Sequence, residues 1–308
     1  MPSHRGPIPP HASKLSHNIM EEEIKIENVF QFSWLTTHQL YIAKEGDTKC
    51  NNLAGWGSGF FLSHRNKIFF VTADHNIHMR DHEEGIRTGK ENPVFIVNNE
   101  TNMSDLSTGL TPLGGFYYYD GYNFGALWDP NTRPEDIDPE LLQIPDDMPD
   151  FAFCEHSGIV QMPILTDELK CRNETIVPAK QAKLIINSQC VAEASKDRFY
   201  VVTGTVLNEI KGLYNYRRNA IFVDITFRER DGDDLLFDYP GSLKHEEWKA
   251  ISGAPLFDNH FHLVGMVVRV IEEDNAIRVI PIQRIIKAIE MQTNINSQTD
   301  PRNHATQS

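Results

Sequence analysis

The sequence predicts an all-β fold of barrel or sandwich architecture with one C-terminal α-helix. Three observations predict it. Short runs of β-branched and aromatic residues recur between clusters of Gly, Pro, Asn and Asp. Two of these runs flank the polar link His64-Arg65-Asn66, the pattern of a hairpin. A clear helical repeat of apolar residues occurs near the end of the chain.

The elements follow in order. Residues 1–24 are rich in Pro, Ser and His without periodicity and are expected to form a flexible tail. The ordered domain is expected over 25–291. Residues 59–63 (GFFLS) and 67–73 (KIFFVTA) are the two arms of the hairpin. Further strands are expected at 92–97, 151–155, 182–187, 199–207, 220–228, 262–271 and 276–280. Residues 101–149 are dense in Gly, Tyr, Asp and Pro and read as a long loop or insertion. Ile282, Ile285, Ile286 and Ile289 fall on one helical face. Pro281 stands at its start, where a missing N–H costs little. The predicted helix covers 281–291 and packs on the strands, and 292–308 is expected to be a second flexible tail. The chain shows no repeat of fixed period.

Composition narrows the function classes. The chain has 308 residues, 40% hydrophobic and 10% aromatic, enough for a sizeable core. Its net charge is -14, which repels phosphate backbones and anionic membranes, so neither nucleic acid nor membrane is an expected partner. It carries no apolar run of transmembrane length and no apolar leader at its start. The cysteines Cys50, Cys154, Cys171 and Cys190 are widely spaced, without a CxxC pair. They are expected as reduced thiols in a cytoplasmic protein. No phosphate-binding or dinucleotide-binding glycine motif appears, so no cofactor is expected.

Chemistry is offered by three segments together. Thr72-Ala73-Asp74-His75 closes a strand and places an imidazole on a rigid element. Asp150-Phe151-Ala152-Phe153 opens a strand with a carboxylate next to apolar neighbours. Ala250-Ile251-Ser252-Gly253-Ala254-Pro255 puts a hydroxyl in a turn of small residues, where a backbone can approach a substrate. A serine hydroxyl becomes a nucleophile only beside a base, and the base needs a third group to hold its tautomer. Singly, each residue has a bland reading: a strand-end histidine, a turn aspartate, a turn serine.

In combination these segments resemble the chymotrypsin/trypsin-like serine proteases, including their HtrA-type bacterial branch. The matching features are Gly57-Ser58-Gly59-Phe60 leading to Thr-Ala-x-His, the Asp-hydrophobic-Ala-hydrophobic run at 150–153, and the serine turn. Leu263-Val264-Gly265-Met266 follows, and Ile280-Pro281-Ile282 precedes the terminal helix. The order His, Asp, Ser along the chain is also that family's order. The match covers roughly 50–75, 147–155 and 248–290, under half the chain.

The resemblance implies two six-stranded antiparallel β-barrels with a site between them. The first barrel would span about 28–155, with 101–149 inserted, and the second about 156–280. His75 would be general base and then acid, Asp150 its orienting carboxylate, and Ser252 the nucleophile of a serine endopeptidase. The backbone N–H groups of Ala250 and Ser252 would form the oxyanion hole. Val268, Arg269 and Val270 would form the strand edge for an extended peptide substrate. Glu246 would sit at the floor of the pocket for the side chain before the scissile bond, favouring a basic residue there. A solvated charge cluster on a loop is the alternative for Lys244-His245-Glu246-Glu247.

Departures from the family pattern carry expectations too. Ala250 stands where glycine is usual, so the oxyanion hole is the least secure part. Ile251 replaces the aspartate that pairs with a new N-terminus in the digestive branch, so activation by trimming is not expected. Asp74, an acid beside the base, would either raise the His75 pKa or point to solvent, and the second is expected. An intracellular protease of this kind should be gated by a partner protein, by a loop change with 101–149 as the candidate gate, or by a specific target sequence. Two rivals remain: a zinc site on His75, His78 and His82, and a non-catalytic module that binds extended peptides.

Overall fold

A computed structural model describes residues 26–86, 88–100, 109–118, 149–156, 163–165, 168–171, 174–210, 214–248 and 250–299. The N-terminal tail expected over 1–24 lies outside them.

The chain begins with α1 (Ile26–Thr36), which runs straight into β1 (Thr37–Ala43). No glycine or proline marks this junction. Instead, the hydroxyls of Thr36 and Thr37 donate to the Ser33 carbonyl at 3.1 and 2.9 Å, satisfying a helix-end acceptor. Next come β2 (Leu53–His64), β3 (Lys67–Thr72), a 3-10 turn (Asp74–Asn76) and α2 (Met79–Glu84). Then follow β4 (Val94–Val97), β5 (Asn99–Glu100), β6 (Leu110–Leu113), β7 (Tyr117–Tyr118) and β8 (Ala152–Glu155). Short ladders use β9 (Ile164–Leu165), β10 (Leu169–Cys171), β11 (Glu174–Val177), β12 (Gln181–Ala182) and β13 (Ile186–Asn187). The second half holds β14 (Phe199–Ile210), β15 (Tyr214–Asp231), β16 (Asp234–Asp238), α3 (His245–Trp248), β17 (Pro255–Asp258), β18 (Leu263–Ile271), β19 (Ala276–Pro281) and α4 (Ile282–Thr299).

The fold is mostly β, as expected, with a C-terminal helix. The strands β14-β15-β16-β19-β18-β17 close into one six-stranded barrel. The first half is a sheet in the order β6-β4-β1-β2-β3-β8-β7, with β13 added in parallel to β2. Among the described residues this sheet is not joined into a closed ladder. Its two edge strands, β6 and β7, are nonetheless linked by only Gly114, Gly115 and Phe116. The four Cα–Cα steps from Leu113 to Tyr117 reach about 14 Å at most, so the sheet must curl until these two edges approach.

Several boundaries differ from the sequence expectation. The strands β6 and β7 belong to the first sheet, so the sheet reaches into 101–149; residues 101–108 and 119–148 lie outside the described residues. Ile186 and Asn187 pair with Leu62 and Ser63, which carries the first sheet past the expected division at 155. The closed barrel starts only at Phe199. The segment 182–187 is two short strands rather than one. The last helix continues to Thr299, because nothing between Ile282 and Thr299 is glycine or proline and polar residues suffice once the apolar face is docked.

Alternation along the strands builds two cores at once. On β2, Phe60 and Leu62 join the cluster shared with the barrel and helix, while Phe61 faces the opposite cluster with Leu40 and Phe70. Phe69 and Val71 on β3 divide from Phe70 in the same way. The shared cluster adds Phe257 and Met266 from the barrel and the predicted helical face, Ile282, Ile285 and Ile289. The two halves therefore pack on a common apolar layer, and beside it the end of β3 lies opposite the start of β8.

Candidate active site

Strand register brings His75 to Asp150. β3 and β8 run antiparallel with Thr72 opposite Ala152 and Val71 opposite Phe153. Two residues before Ala152, Asp150 therefore stands just beyond the end of β3, beside the 3-10 turn that carries His75. The Asp150 carboxylate takes two hydrogen bonds from the same residue. The backbone N–H of His75 donates to Oδ1 at 3.0 Å, and His75 Nδ1 lies 2.7 Å from Oδ2. A carboxylate only accepts, so the proton of the neutral ring sits on Nδ1 and Nε2 is left as an acceptor. No described residue hydrogen-bonds Nε2.

Electrostatics tie the pair together. Burial raises the Asp150 pKa, but the His75 charge and hydrogen bond, helped by His82, hold it below the ordinary carboxylate value. For His75, burial lowers the pKa, but the Asp150 charge and hydrogen bond outweigh it, with a further upward push from Asp74 and a downward one from Arg269. The net result is a histidine more basic than usual.

Asp74 does not point to solvent. It is 2% exposed, with Oδ1 2.8 Å from His78 Nδ1 and Oδ2 2.8 Å from His82 Nε2. The 3-10 turn is tight and α2 folds straight back over it, so its first residue faces inward. The ring of His82 lies edge-on to that of His75, with centroids 5.8 Å apart. The three histidines weighed as zinc ligands thus direct nitrogens at aspartates: His78 and His82 at Asp74, His75 at Asp150. Among the described residues no group of three or more His, Cys, Asp or Glu is arranged to hold a metal ion.

The turn of Ser252 is held from the opposite half of the molecule. The Ser252 carbonyl accepts from Ser58 N–H at 3.0 Å and from Asn76 Nδ2 at 3.1 Å. Asn76 Nδ2 also donates to Thr72 Oγ1 at 2.9 Å, and that hydroxyl donates to the Ser58 carbonyl at 2.7 Å. Ser58 Oγ donates to the Ala250 carbonyl at 2.9 Å and accepts from Thr205 N–H at 3.0 Å. One buried network therefore fastens the residue after His75 to the serine turn. Gly253 is required here: its φ is +92°, and a Cβ would stand 1.9 Å from the Ser58 carbonyl oxygen.

The Ser252 hydroxyl is partly exposed but donates to the Val268 carbonyl at 2.9 Å, not to His75. The structure thus pairs His75 with Asp150, places Ser252 against β18, and connects the two through Asn76. Ser58, Thr72 and Asn76 were given no role by the sequence. Ser58 and Thr72 stand out only as polar residues in largely apolar strands, and Asn76 sits among polar neighbours that give no signal.

Ala250 takes the conformation that its glycine-like position demands. Its φ is +78°, in the left-handed region, which costs a non-glycine residue about 1–2 kcal/mol. The Ser58 hydroxyl on its carbonyl and the Ile251 N–H to Trp248 C=O bond at 3.2 Å offset that strain. The N–H groups of Ala250 and Ser252 donate to no described residue. Ala250→Gly is expected to stabilise the fold by about 1 kcal/mol, measured as an upward Tm shift of a few degrees. A fall in Tm would show that the methyl group contributes packing worth more than the backbone strain.

The expected substrate residues fall on β18. Val268 is buried, Arg269 exposed and Val270 half-buried. Pairing with β17 ends at Met266, whereas β19 continues alongside, with Arg269 opposite Arg278 and Val270 opposite Ile277. From Val268 onward one edge of β18 therefore has no β17 partner. Glu246 lies in the one-turn helix α3 rather than on a loop, and its side chain lies outside the described residues. That helix is fixed by Trp248, stacked on Phe222 at 3.8 Å and edge-on to Tyr239 at 5.2 Å. Among the cysteines, Cys154 is buried and its thiol is pushed up to about 12 by that burial, which removes it from nucleophilic chemistry.

No family model matches the chain, and no curated protein matches its sequence. Solved structures with a related course of chain include a serine endoprotease from Yersinia pestis, at 12% identity and a TM-score of 0.47. That similarity covers 87% of this chain, and this chain spans 66% of the length of that protein. A second is the protein Deg5, at 15% identity and a TM-score of 0.40, covering 88% of this chain and 95% of the other.

Proposed function

We propose that the protein is a serine endopeptidase that works through His75, Asp150 and Ser252. The observation that carries this reading is the His75–Asp150 pair, fastened through Asn76 to the turn of Ser252. In the first step the Ser252 hydroxyl leaves the Val268 carbonyl and passes its proton to His75 Nε2 as Oγ attacks the peptide carbonyl carbon. Asp150 stabilises the imidazolium without taking its proton. The N–H groups of Ser252 and Ala250 receive the negative oxygen of the tetrahedral intermediate. The C–N bond breaks, His75 returns the proton to the leaving amine, and an acyl-enzyme remains. Water then repeats the sequence, releasing the acid and restoring Ser252.

A fluorophosphonate probe tests this directly. An adduct on Ser252, located by mass spectrometry and lost in His75→Ala, is the expected result. A catalytically silent, peptide-binding module is the second reading, favoured by the Ser252 hydroxyl resting on Val268 rather than on His75. Absence of any adduct, together with peptide binding that survives Ser252→Ala, would decide for it.

A further inference from the structure

The open edge of β18 carries a cation where a bound peptide would turn a side chain. Val268 is the residue whose carbonyl holds the Ser252 hydroxyl at 2.9 Å, so a peptide residue acylated there stands opposite Val268. An extended peptide pairing antiparallel with β18 then sets its preceding residue opposite Arg269. Opposed residues of paired strands share a face of the sheet and interact directly. Arg269 is exposed and makes no ion pair with a described residue.

Its surroundings keep it available. The cross-strand neighbour Arg278 is occupied by Asp231 at 2.7 Å and Asp234 at 3.3 Å. Asp234 and Asp233 also hold Arg284, at 3.3 and 3.1 Å. The three aspartates thus pair with Arg278 and Arg284, and Asp234 also feels the Arg269 charge without forming an ion pair with it. Arg284 lines a cleft of about 620 Å³ that also includes Arg230 and Lys287, and Pro149 and Phe151, the two residues flanking Asp150. Arg230 and Lys287 make no ion pair with a described residue either. Glu193 is the remaining carboxylate of that cleft. In a chain with a net charge of -14, Arg230, Lys287 and Arg269 thus make no ion pair with a described residue, and the first two line the cleft beside the residues flanking Asp150. Arg269 is also near enough to His75 to lower its proton affinity, which puts the guanidinium within electrostatic reach of the reacting groups.

We infer that Arg269 selects substrates with an aspartate or glutamate immediately before the residue whose carbonyl is attacked. The inference rests on the endopeptidase reading for its register, but selection on binding is measurable without catalysis. Asp or Glu at that position is expected to exceed Lys by about tenfold in kcat/KM. That is the factor expected when a partly exposed ion pair replaces a like-charge contact.

Two measurements test it. Wild type, Arg269→Gln and Arg269→Glu are each given a proteome-derived peptide library, and cleavage sites are read by mass spectrometry. In parallel, a positional peptide library with Asp, Ala or Lys fixed at one site is bound to Ser252→Ala. The expected result is acidic preference in wild type, its loss in Arg269→Gln and its inversion toward Lys in Arg269→Glu. Labelling of Ser252 with no charge preference, or a preference unchanged in Arg269→Glu, overturns the inference and leaves the endopeptidase. Acid-selective binding to Ser252→Ala with no labelling of wild type keeps the role of Arg269 and removes the endopeptidase.

Discussion

Ser252→Ala is expected to lower kcat for peptide hydrolysis by about 10⁶ while leaving the fold intact. The two halves of this expectation have separate causes. On the proposed reading Ser252 cannot be replaced by its neighbours, because no other described hydroxyl is placed at the open end of β18 beside the Ala250 and Ser252 N–H groups, which donate to no described residue. The fold is spared because the hydroxyl is partly exposed and makes a single hydrogen bond, to Val268 O. A neutral hydrogen bond of that kind contributes about 0.5–1.5 kcal/mol. Turnover of a peptide cleaved by wild type, measured beside a thermal melt, checks both. A variant that retains even a hundredth of wild-type turnover would mean that the hydrolysis belongs to another site.

Asp150→Asn is expected to cost about 10⁴ in kcat and to move the acid limb of the pH–rate profile. An amide can donate to Nδ1, which favours the tautomer with its proton on Nε2 and removes the base. The direction of the pH effect follows from the charges. His75 acts as base only when neutral, so the rate rises as pH passes its pKa. The Asp150 charge and hydrogen bond raise that pKa against the lowering effect of burial, so removing the charge shifts the limb to lower pH. Kinetics from pH 5 to 9 on wild type and variant measure this. A limb that stays in place would show that Asp150 does not control the protonation of His75.

The residues that meet at the site were legible to different degrees. His75, Asp150 and Ser252 stand out in the sequence because their neighbours follow a strand or turn pattern that reads locally. Asp74 does not point to solvent, because α2 folds back and supplies two imidazoles, while its charge does push the His75 pKa up, the other reading of an acid beside the base. The segment of Glu246, for which a loop was one reading, is a helical turn held by Trp248. The left-handed backbone of Ala250 fits the glycine-like place it fills, while the Ser58 hydroxyl on its carbonyl comes from a residue 192 positions away.

The fold divides in the same way. The hairpin of β2 and β3, the long strands of the barrel and the apolar face of α4 follow from periodicity, because side-chain direction repeats every two residues in a strand and every 3.6 in a helix. Periodicity does not report partners. Helix α1 and strand β1 meet without a breaker and are separated only by what they pack on: Ser33 on Thr203, and Leu40 against Phe61 and Phe70. The parallel addition of β13 to β2, the closure of the barrel from β14 to β17, and the Ser58–Thr72–Asn76 network are contacts between distant segments. Sequence alone determined which residues could form strands, a helix and a reactive set. Tertiary structure decided which of them touch, because long-range register and buried polar pairing depend on the whole chain being packed at once.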